Sequence, residues 1–395
     1  MTGKERIRLA MQLKEPDRVP VMCQMSVGYI LLNTKLSPVD WMFTNEKHVE
    51  ALIELAEKYD FDGVLLLVPG QDPYLRDAVL RVSEDEEGMI LHWKDGGMTV
   101  CPWGDSGRDY LPRNQRPPTV GDVSLANMRG LRSIPYYRLH AKVFPQLPLH
   151  DSAVGTVEDL PGFVFARIDL ALERVGNSLS IHGEVDSPFE VFIFMFGVED
   201  AFLSLFDDPV KCKEILQIYT EGSINWAIAQ ARRGVDAIKL SSAYAGGSLI
   251  SREFYREFVL PYEKQVVQAV REVGVPVYLH TCGFIGDRLD LMLETGANGI
   301  ECLDPPPLGN VELTEAKETL AGKAFIKGNI DSVNTLLSKS REEVSQDARE
   351  RIEIAGPGGG YILSTACSIA PRVPPENVSV LAQVAKEYGG YPLDK

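Results

Sequence analysis

The stretch Phe61-Asp62-Gly63-Val64-Leu65-Leu66-Leu67-Val68 is apolar on both faces, as strands of a parallel sheet are. Short apolar runs of this kind recur along the chain and alternate with amphipathic helical segments. The runs are residues 19–25, 61–68, 179–183, 235–240, 276–280, 298–302, 324–328 and 360–364. Eight strands separated by helices predict an α/β fold, a (β/α)8 TIM barrel, with its active site at the carboxyl ends of the strands.

The alternation is interrupted at about residues 72–172. Prolines and aromatic residues accompany short alternating pieces there, such as Met89–Trp93 and Thr99–Trp103. This pattern predicts an insertion after the second strand, made of hairpin and loop with some helix, that lies over the barrel mouth. The remainder of residues 1–395 is predicted to form a single barrel domain.

Local signals place several helix boundaries. Apolar residues at helical spacing predict a helix near Thr44–Tyr59. Asp208-Pro209 predicts a helix with proline in its first turn, and Ser340 with Glu343 forms a predicted capping box.

Composition narrows the class of protein. Of the 395 residues, 45% are hydrophobic and 24% are charged, which is typical of a globular domain. The formal net charge of −16 would repel a phosphate backbone, so we expect no nucleic-acid partner. The absence of an apolar run of 18 residues and of a signal-like amino terminus predicts no membrane span and a cytoplasmic location. The six dispersed cysteines then indicate reduced thiols, some of them available as ligands.

Three residues at predicted strand ends form a candidate metal site. His280 and Cys282 are two residues apart at the end of one strand, so their side chains point to the same side, and Cys367 lies near the end of the last strand. One nitrogen and two thiolate donors suit zinc, and three ligands with an open position are typical of a catalytic site. The alternative is that they are ordinary buried residues, as we expect for Cys212 in its helical apolar stripe.

Other polar residues end neighbouring strands. Glu301 is predicted either as a fourth, displaceable metal ligand or as a carboxylate that bonds a metal-bound histidine. Cys302 should point the other way and pack in the core. His182, Glu184 and Lys239 are candidate catalytic groups that face the pocket, and the alternative for each is a partner in the bonding of the barrel rim.

Several segments resemble the uroporphyrinogen decarboxylase superfamily over about residues 1–70 and 175–390. They are Lys4-Glu5-Arg6-Ile7, Pro16-Asp17-Arg18-Val19-Pro20, Ser251-Arg252-Glu253-Phe254 with Pro261-Tyr262, Gly328-Asn329-Ile330-Asp331 and Pro374-Pro375-Glu376-Asn377. The resemblance is weak across the insertion. The chain departs from the decarboxylase itself at residues 21–27, which contain no arginine where that enzyme holds its substrate carboxylates.

The His280-x-Cys282…Cys367 pattern is similar to the zinc site of the corrinoid-dependent methyltransferases of this superfamily. The position of Glu301 resembles a glutamate ligand of cobalamin-independent methionine synthase. The resemblance implies a zinc enzyme that transfers a methyl group between a small substrate and the cobalt of a separate corrinoid protein, since no cobalamin-binding domain is evident in this chain.

Two directions of transfer follow from the resemblance. We expect demethylation of a methoxylated aromatic, because Trp93, Trp103 and Tyr110 of the insertion could form an aromatic lid. The alternatives are methylation of a thiol of the coenzyme M type, a decarboxylase-like lyase, and a zinc-dependent binding protein. The methyl donor, the acceptor and the oligomeric state stay open.

Overall fold

The structure is a computed structural model that describes residues 1–67, 70–110, 118–128 and 162–393. Its strands are β1 (Gly63–Leu65), β2 (Val79–Glu84), β3 (Gly88–Trp93), β4 (Met98–Pro102), β5 (Arg108–Tyr110), β6 (Ser180–Asp186), β7 (Ala237–Ser241), β8 (Val277–Thr281), β9 (Gly299–Cys302), β10 (Phe325–Ile330) and β11 (Tyr361–Thr365). Seven of them form a parallel sheet in the order β1-β6-β7-β8-β9-β10-β11.

Helices connect these strands and cover the outer face of the sheet. The described α-helices are Gly3–Met11, Val27–Asn33, Pro38–Phe43, Asn45–Lys58, Leu125–Met128, Ala166–Val175, Pro188–Phe196, Val198–Asp207, Pro209–Arg233, Arg252–Phe258, Leu260–Glu272, Leu289–Glu294, Leu313–Leu320, Arg341–Ala355 and Pro375–Tyr388. The predicted helix at 44–59, the first-turn proline at Pro209 and the capping box of Ser340 with Glu343 are all confirmed.

The eighth position of the barrel is filled by residues 19–25, which lie between β1 and β11. The predicted continuous strand is wrong in detail, because only isolated bridges form at Val21 and Met25. Pro20 has no N–H to donate, so a regular ladder cannot start there. Two main-chain bonds still hold the segment: the Asp62 N–H donates to the Val21 carbonyl at 2.7 Å, and the Met22 N–H donates to the Leu363 carbonyl at 3.0 Å.

Asp62 ties this segment to β1. Its buried carboxylate accepts hydrogen bonds from the Arg18 guanidinium at 2.9 and 3.1 Å, from Arg6 at 3.0 Å and from the Val21 N–H at 2.7 Å. These bonds stabilise the contact between β1 and the segment of residues 19–25 that fills the eighth position of the barrel.

The described part of the region predicted as an insertion, residues 72–172, contains a second, antiparallel sheet. It has the order β2-β3-β4-β5, and its core of Leu75, Leu91, Trp93 and Cys101 packs beside the Pro38–Phe43 helix. The alternating pieces at Met89–Trp93 and Thr99–Trp103 correspond to β3 and β4, which pair as antiparallel strands. Residues 111–117 and 129–161 lie outside the described part, and the location of the insertion over the barrel mouth stays a prediction.

The barrel interior changes from apolar to polar along its axis. Ile7, Ala10 and Met11 of the first helix pack with Tyr278, Phe325 and other inward residues and close the bottom of the barrel. Charged residues follow toward the carboxyl ends of the strands, among them Lys239, Glu301 and Lys327, all almost completely buried. Of the helices that the structure describes, none is long and apolar enough to cross a membrane.

Candidate metal centre

His280, Cys282 and Cys367 converge at the carboxyl end of the barrel. The Sγ atom of Cys282 lies 3.3 Å from Nε2 of His280 and 3.7 Å from Sγ of Cys367, and the three donor atoms all lie within 4.8 Å of one another. His280 is buried, whereas both cysteines are partly exposed. The cluster therefore has a protected side, formed by the imidazole, and an accessible side, formed by the thiols.

Strand geometry explains this convergence. His280 is in β8 and Cys282 follows it two residues later, so both project into the barrel. The chain turns at Gly283, which has a φ of +76° and whose N–H donates to the Asp304 carboxylate at 2.7 Å. Because that conformation strains any residue with a Cβ, glycine here allows the chain to leave the strand immediately after the second ligand.

Glu301 contacts the far side of the imidazole. Its Oε2 accepts a hydrogen bond from Nδ1 of His280 at 2.8 Å, which leaves Nε2 facing the thiols. Glu301 is not among the residues whose donor atoms cluster with those of Cys282 and Cys367. Of the two sequence-based interpretations, this geometry favours a carboxylate that orients His280 over a fourth ligand.

Lysine side chains surround that carboxylate. Burial opposes ionisation of Glu301, but the adjacent charges of Lys327 and Lys239, with the hydrogen bond from His280, hold its pKa well below the usual range. Lys239 Nζ lies 3.0 Å from Glu184 and 3.7 Å from Glu301 Oε2, and Lys327 forms a close ion pair with Glu301 Oε1. Glu301 is therefore an ionised acceptor that fixes the histidine tautomer.

The thiols of the cluster favour a cation between them. The neighbouring thiols of Cys282 and Cys302, with the nearby His280, lower the pKa of the Cys367 thiol well below its usual range. Burial and the charge of Lys239 oppose protonation of His280. The charge of Cys282 and the hydrogen bonds to Cys282 and Cys367 nevertheless raise the pKa of His280 well above its usual value. A proton is thus drawn to the imidazole to balance thiolate charge, and a metal ion would serve the same purpose.

Cys302 follows Glu301 at the end of β9 and is completely buried. Its backbone has a φ of +83°, which ends the alternation of the strand. Its Sγ donates to Asp304 at 3.2 Å, and burial together with the neighbouring Cys282 and Cys367 raises the pKa of its thiol well above the usual value. Cys302 is not part of the cluster of candidate ligands, and its role as a packing residue stays a prediction.

Of the other predicted site residues, Glu184 and Lys239 join the polar layer of the interior, whereas His182 lies lower in the barrel. His182 Nδ1 is 3.1 Å from the Tyr278 hydroxyl, and Nε2 is 3.1 Å from Ser180 Oγ. Burial, with a contribution from the charge of Lys327, lowers the pKa of His182 to about 3, so its imidazole is neutral at physiological pH. Its catalytic assignment stays a prediction.

The aromatic residues of the insertion do not all meet the expectation of a lid. Trp93 is only 3% exposed, and its indole N–H donates to Thr99 Oγ1 at 2.8 Å inside the small sheet. Trp93 packs within the hairpin and is not available to a lid, because packing between β3 and β4 satisfies both its ring and its polar atom. Trp103 and Tyr110 are partly exposed.

The donor set fits zinc. One imidazole nitrogen and two thiol sulfurs form the ligand combination that zinc binds well, and a carboxylate on the second imidazole nitrogen is the usual partner of a metal-bound histidine. The partly exposed thiols leave room for a further ligand from outside the protein, which is the arrangement of a catalytic site.

Comparison with known proteins assigns the family. The model of the uroporphyrinogen decarboxylase (URO-D) family matches residues 143–388, which is more than half of the chain. The chain belongs to the URO-D family. The resemblance inferred from the sequence segments is thereby confirmed.

Two relatives of this URO-D protein are methylcobamide:CoM methyltransferases named MtbA. The one from Methanosarcina mazei is 30% identical over 398 residues, which cover 98% of this chain and 98% of that protein. The one from Methanosarcina acetivorans is 30% identical over 228 residues, so that the match spans 58% of this chain and 64%, under two thirds, of that relative. These relatives support an enzyme, and neither of their names supports a methoxyarene substrate.

A solved structure of a methyltransferase from Methanosarcina mazei shares the fold. It superposes with a TM-score of 0.71 at 20% identity, and the match covers 98% of this chain and 99% of that one. The predicted (β/α)8 barrel is confirmed by this likeness together with the strand order.

Proposed function

We propose that this protein transfers a methyl group from a methylcobamide to a small thiol, at a zinc ion held by His280, Cys282 and Cys367. The observation that carries the proposal is the convergence of one imidazole and two thiols within 4.8 Å at the mouth of the barrel. Two relatives that are methylcobamide:CoM methyltransferases support the same reaction class. The thiol direction therefore replaces demethylation of a methoxyarene as the favoured interpretation.

Zinc, when bound, would act as a Lewis acid that lowers the pKa of a thiol ligand and so provides a thiolate at neutral pH. The residues of this chain would bind the zinc ion and orient the histidine ligand. His280 and the two cysteines would hold the ion, and Glu301 fixes the histidine tautomer through the 2.8 Å hydrogen bond to Nδ1. The partly exposed thiols leave the outer side of the cluster open to the substrate.

The methyl group moves in one displacement. The substrate sulfur forms the new S–C bond, the Co–C bond breaks with its electron pair left on cobalt, and the thiol proton passes to solvent. We propose that a separate corrinoid protein brings the methylcobamide. Glu184 and Lys239 are proposed to support the reaction from within the barrel, since the 3.0 Å ion pair between them lies beside Glu301.

The competing functions have less support. Trp93 is buried and cannot contribute to an aromatic lid, which removes part of the argument for a methoxyarene. A porphyrinogen carries several carboxylates, but residues 21–27 supply no arginine to bind them.

The test is a methyl-transfer assay with purified, zinc-loaded protein. Methylcobalamin is mixed with a panel of small thiols, and we expect loss of the methyl-cobalt absorption together with formation of a thioether. The Cys282→Ser variant should be inactive, whereas Cys212→Ala, a change in the core away from the site, should be active. Release of phenol from methoxyarenes with a reduced corrinoid protein, or loss of carboxylates from a porphyrinogen, without reaction of any thiol, would contradict the proposal.

A further inference from the structure

We infer that Lys327 is a positioning residue for the metal centre: it holds the Glu301 carboxylate against Nδ1 of His280 and thereby reserves Nε2 for the metal. The inference rests on the metal centre of the proposed function, but not on the reaction or its substrates. Lys327 lies in β10 and is not among the site residues predicted from the sequence.

The two oxygens of Glu301 have different partners. Lys327 is directly opposite Glu301 in the pairing of β10 with β9, and its ammonium donates to Oε1. The other oxygen, Oε2, accepts the hydrogen bond from His280 at 2.8 Å. Lys327 also lies 3.4 Å from Ser364 Oγ in β11, so its ammonium is anchored on both neighbouring strands. With Oε1 held by Lys327, rotation of the carboxylate away from the imidazole would break both contacts.

The ion-pair contacts assign the positioning of Glu301 to Lys327 and not to Lys239. Lys239 Nζ is 3.0 Å from Glu184 but 3.7 Å from Glu301, so its shorter contact is with the other carboxylate. Lys327 is completely buried, and among the residues that the structure describes its ion-pair partner is Glu301. A carboxylate that lost the contact at Oε1 would be free to rotate, and rotation would break the hydrogen bond that Oε2 accepts from His280.

The test measures zinc affinity by competition with a chromophoric chelator. We expect Lys327→Met, which preserves much of the side-chain volume and removes the charge, to bind zinc about 10- to 100-fold more weakly, as is typical when a residue that supports a ligand is replaced. Lys317→Met is the matched control. The Lys317 ammonium donates to the carbonyls of Ala355 and Gly359 at 2.6 and 2.9 Å, so its loss should leave zinc affinity unchanged.

A double-mutant cycle separates positioning from a general structural role. If Lys327 acts through Glu301, then Lys327→Met combined with Glu301→Gln should bind zinc as weakly as Glu301→Gln alone, because the contact is already lost. This double variant removes both charges of the pair, so the comparison stays available if Lys327→Met by itself does not fold.

A spectroscopic measurement reports the tautomer directly. In the zinc-loaded protein, the ¹⁵N chemical shifts of His280 should show a protonated Nδ1 and a metal-bound Nε2, and Lys327→Met should alter the Nδ1 signal. Unchanged zinc affinity and an unchanged Nδ1 signal in Lys327→Met, or additive losses in the double variant, would overturn the inference. Since no measurement here uses methyl transfer, an inactive enzyme would contradict the proposed function and not this role of Lys327.

Discussion

Replacement of Cys367 by serine tests the metal centre most directly. The change removes one of three donor atoms that lie within 4.8 Å of one another, while the side chain keeps almost the same shape. Structural zinc sites with four ligands bind with roughly 10–16 kcal/mol, so one ligand accounts for about 2.5–4 kcal/mol. At 1.4 kcal/mol for each factor of ten, zinc affinity should fall about 10²- to 10³-fold.

The stability of the fold should change much less. Cys367 is partly exposed and lies outside the core of the barrel, so we expect its replacement to change the free energy of unfolding by about 0.5 kcal/mol or less. This expectation applies to the metal-free protein, because bound zinc itself stabilises the folded state.

The assay combines zinc content, chelator competition and thermal unfolding of the metal-free protein. Wild type should hold about one zinc per chain, as expected for a single cluster of ligands, and both Cys282→Ser and Cys367→Ser should lose most of it. Cys212→Ser is the matched control, because Cys212 is completely buried and its thiol donates to the Ser204 carbonyl. If both cluster variants retain zinc with wild-type affinity, the assignment of the centre to these residues is refuted.

Two further predictions concern the barrel itself. Asp62→Asn should destabilise the protein by about 4 kcal/mol, because it leaves the buried Arg18 guanidinium without its carboxylate partner and removes one of the two carboxylates that pair with Arg6. For a chain of this length the melting temperature should fall by about 5 °C, and an unchanged melting temperature would contradict this role of Asp62. The folded-state pKa of His182, about 3, lies below the unfolded value near 6.5, so between these values the unfolded state binds the proton and stability falls as the pH falls. Urea unfolding between about pH 4 and pH 7 should therefore show a weaker pH dependence for His182→Asn than for wild type, and identical slopes would count against a neutral, buried His182.

The sequence was sufficient for features that depend on local pattern. Apolar runs separated by amphipathic helices predicted the barrel, because strand and helix periods are properties of neighbouring residues. The same period of two placed His280 and Cys282 on one side of their strand, and barrel geometry then brought Cys367 to the same end. The sequence also carries a signal for Lys327, which is the one ionisable residue of the predicted strand at 324–328.

The tertiary structure alone decided which partner each polar atom takes. Glu301 could have been a ligand or an orienting residue, and only its contacts with His280 and Lys327 favour the second. The Cys302 thiol bonds Asp304, and the Trp93 indole bonds Thr99 inside the small sheet. These outcomes depend on contacts between particular side chains, whereas periodicity indicates only the face of a strand or helix on which a side chain lies.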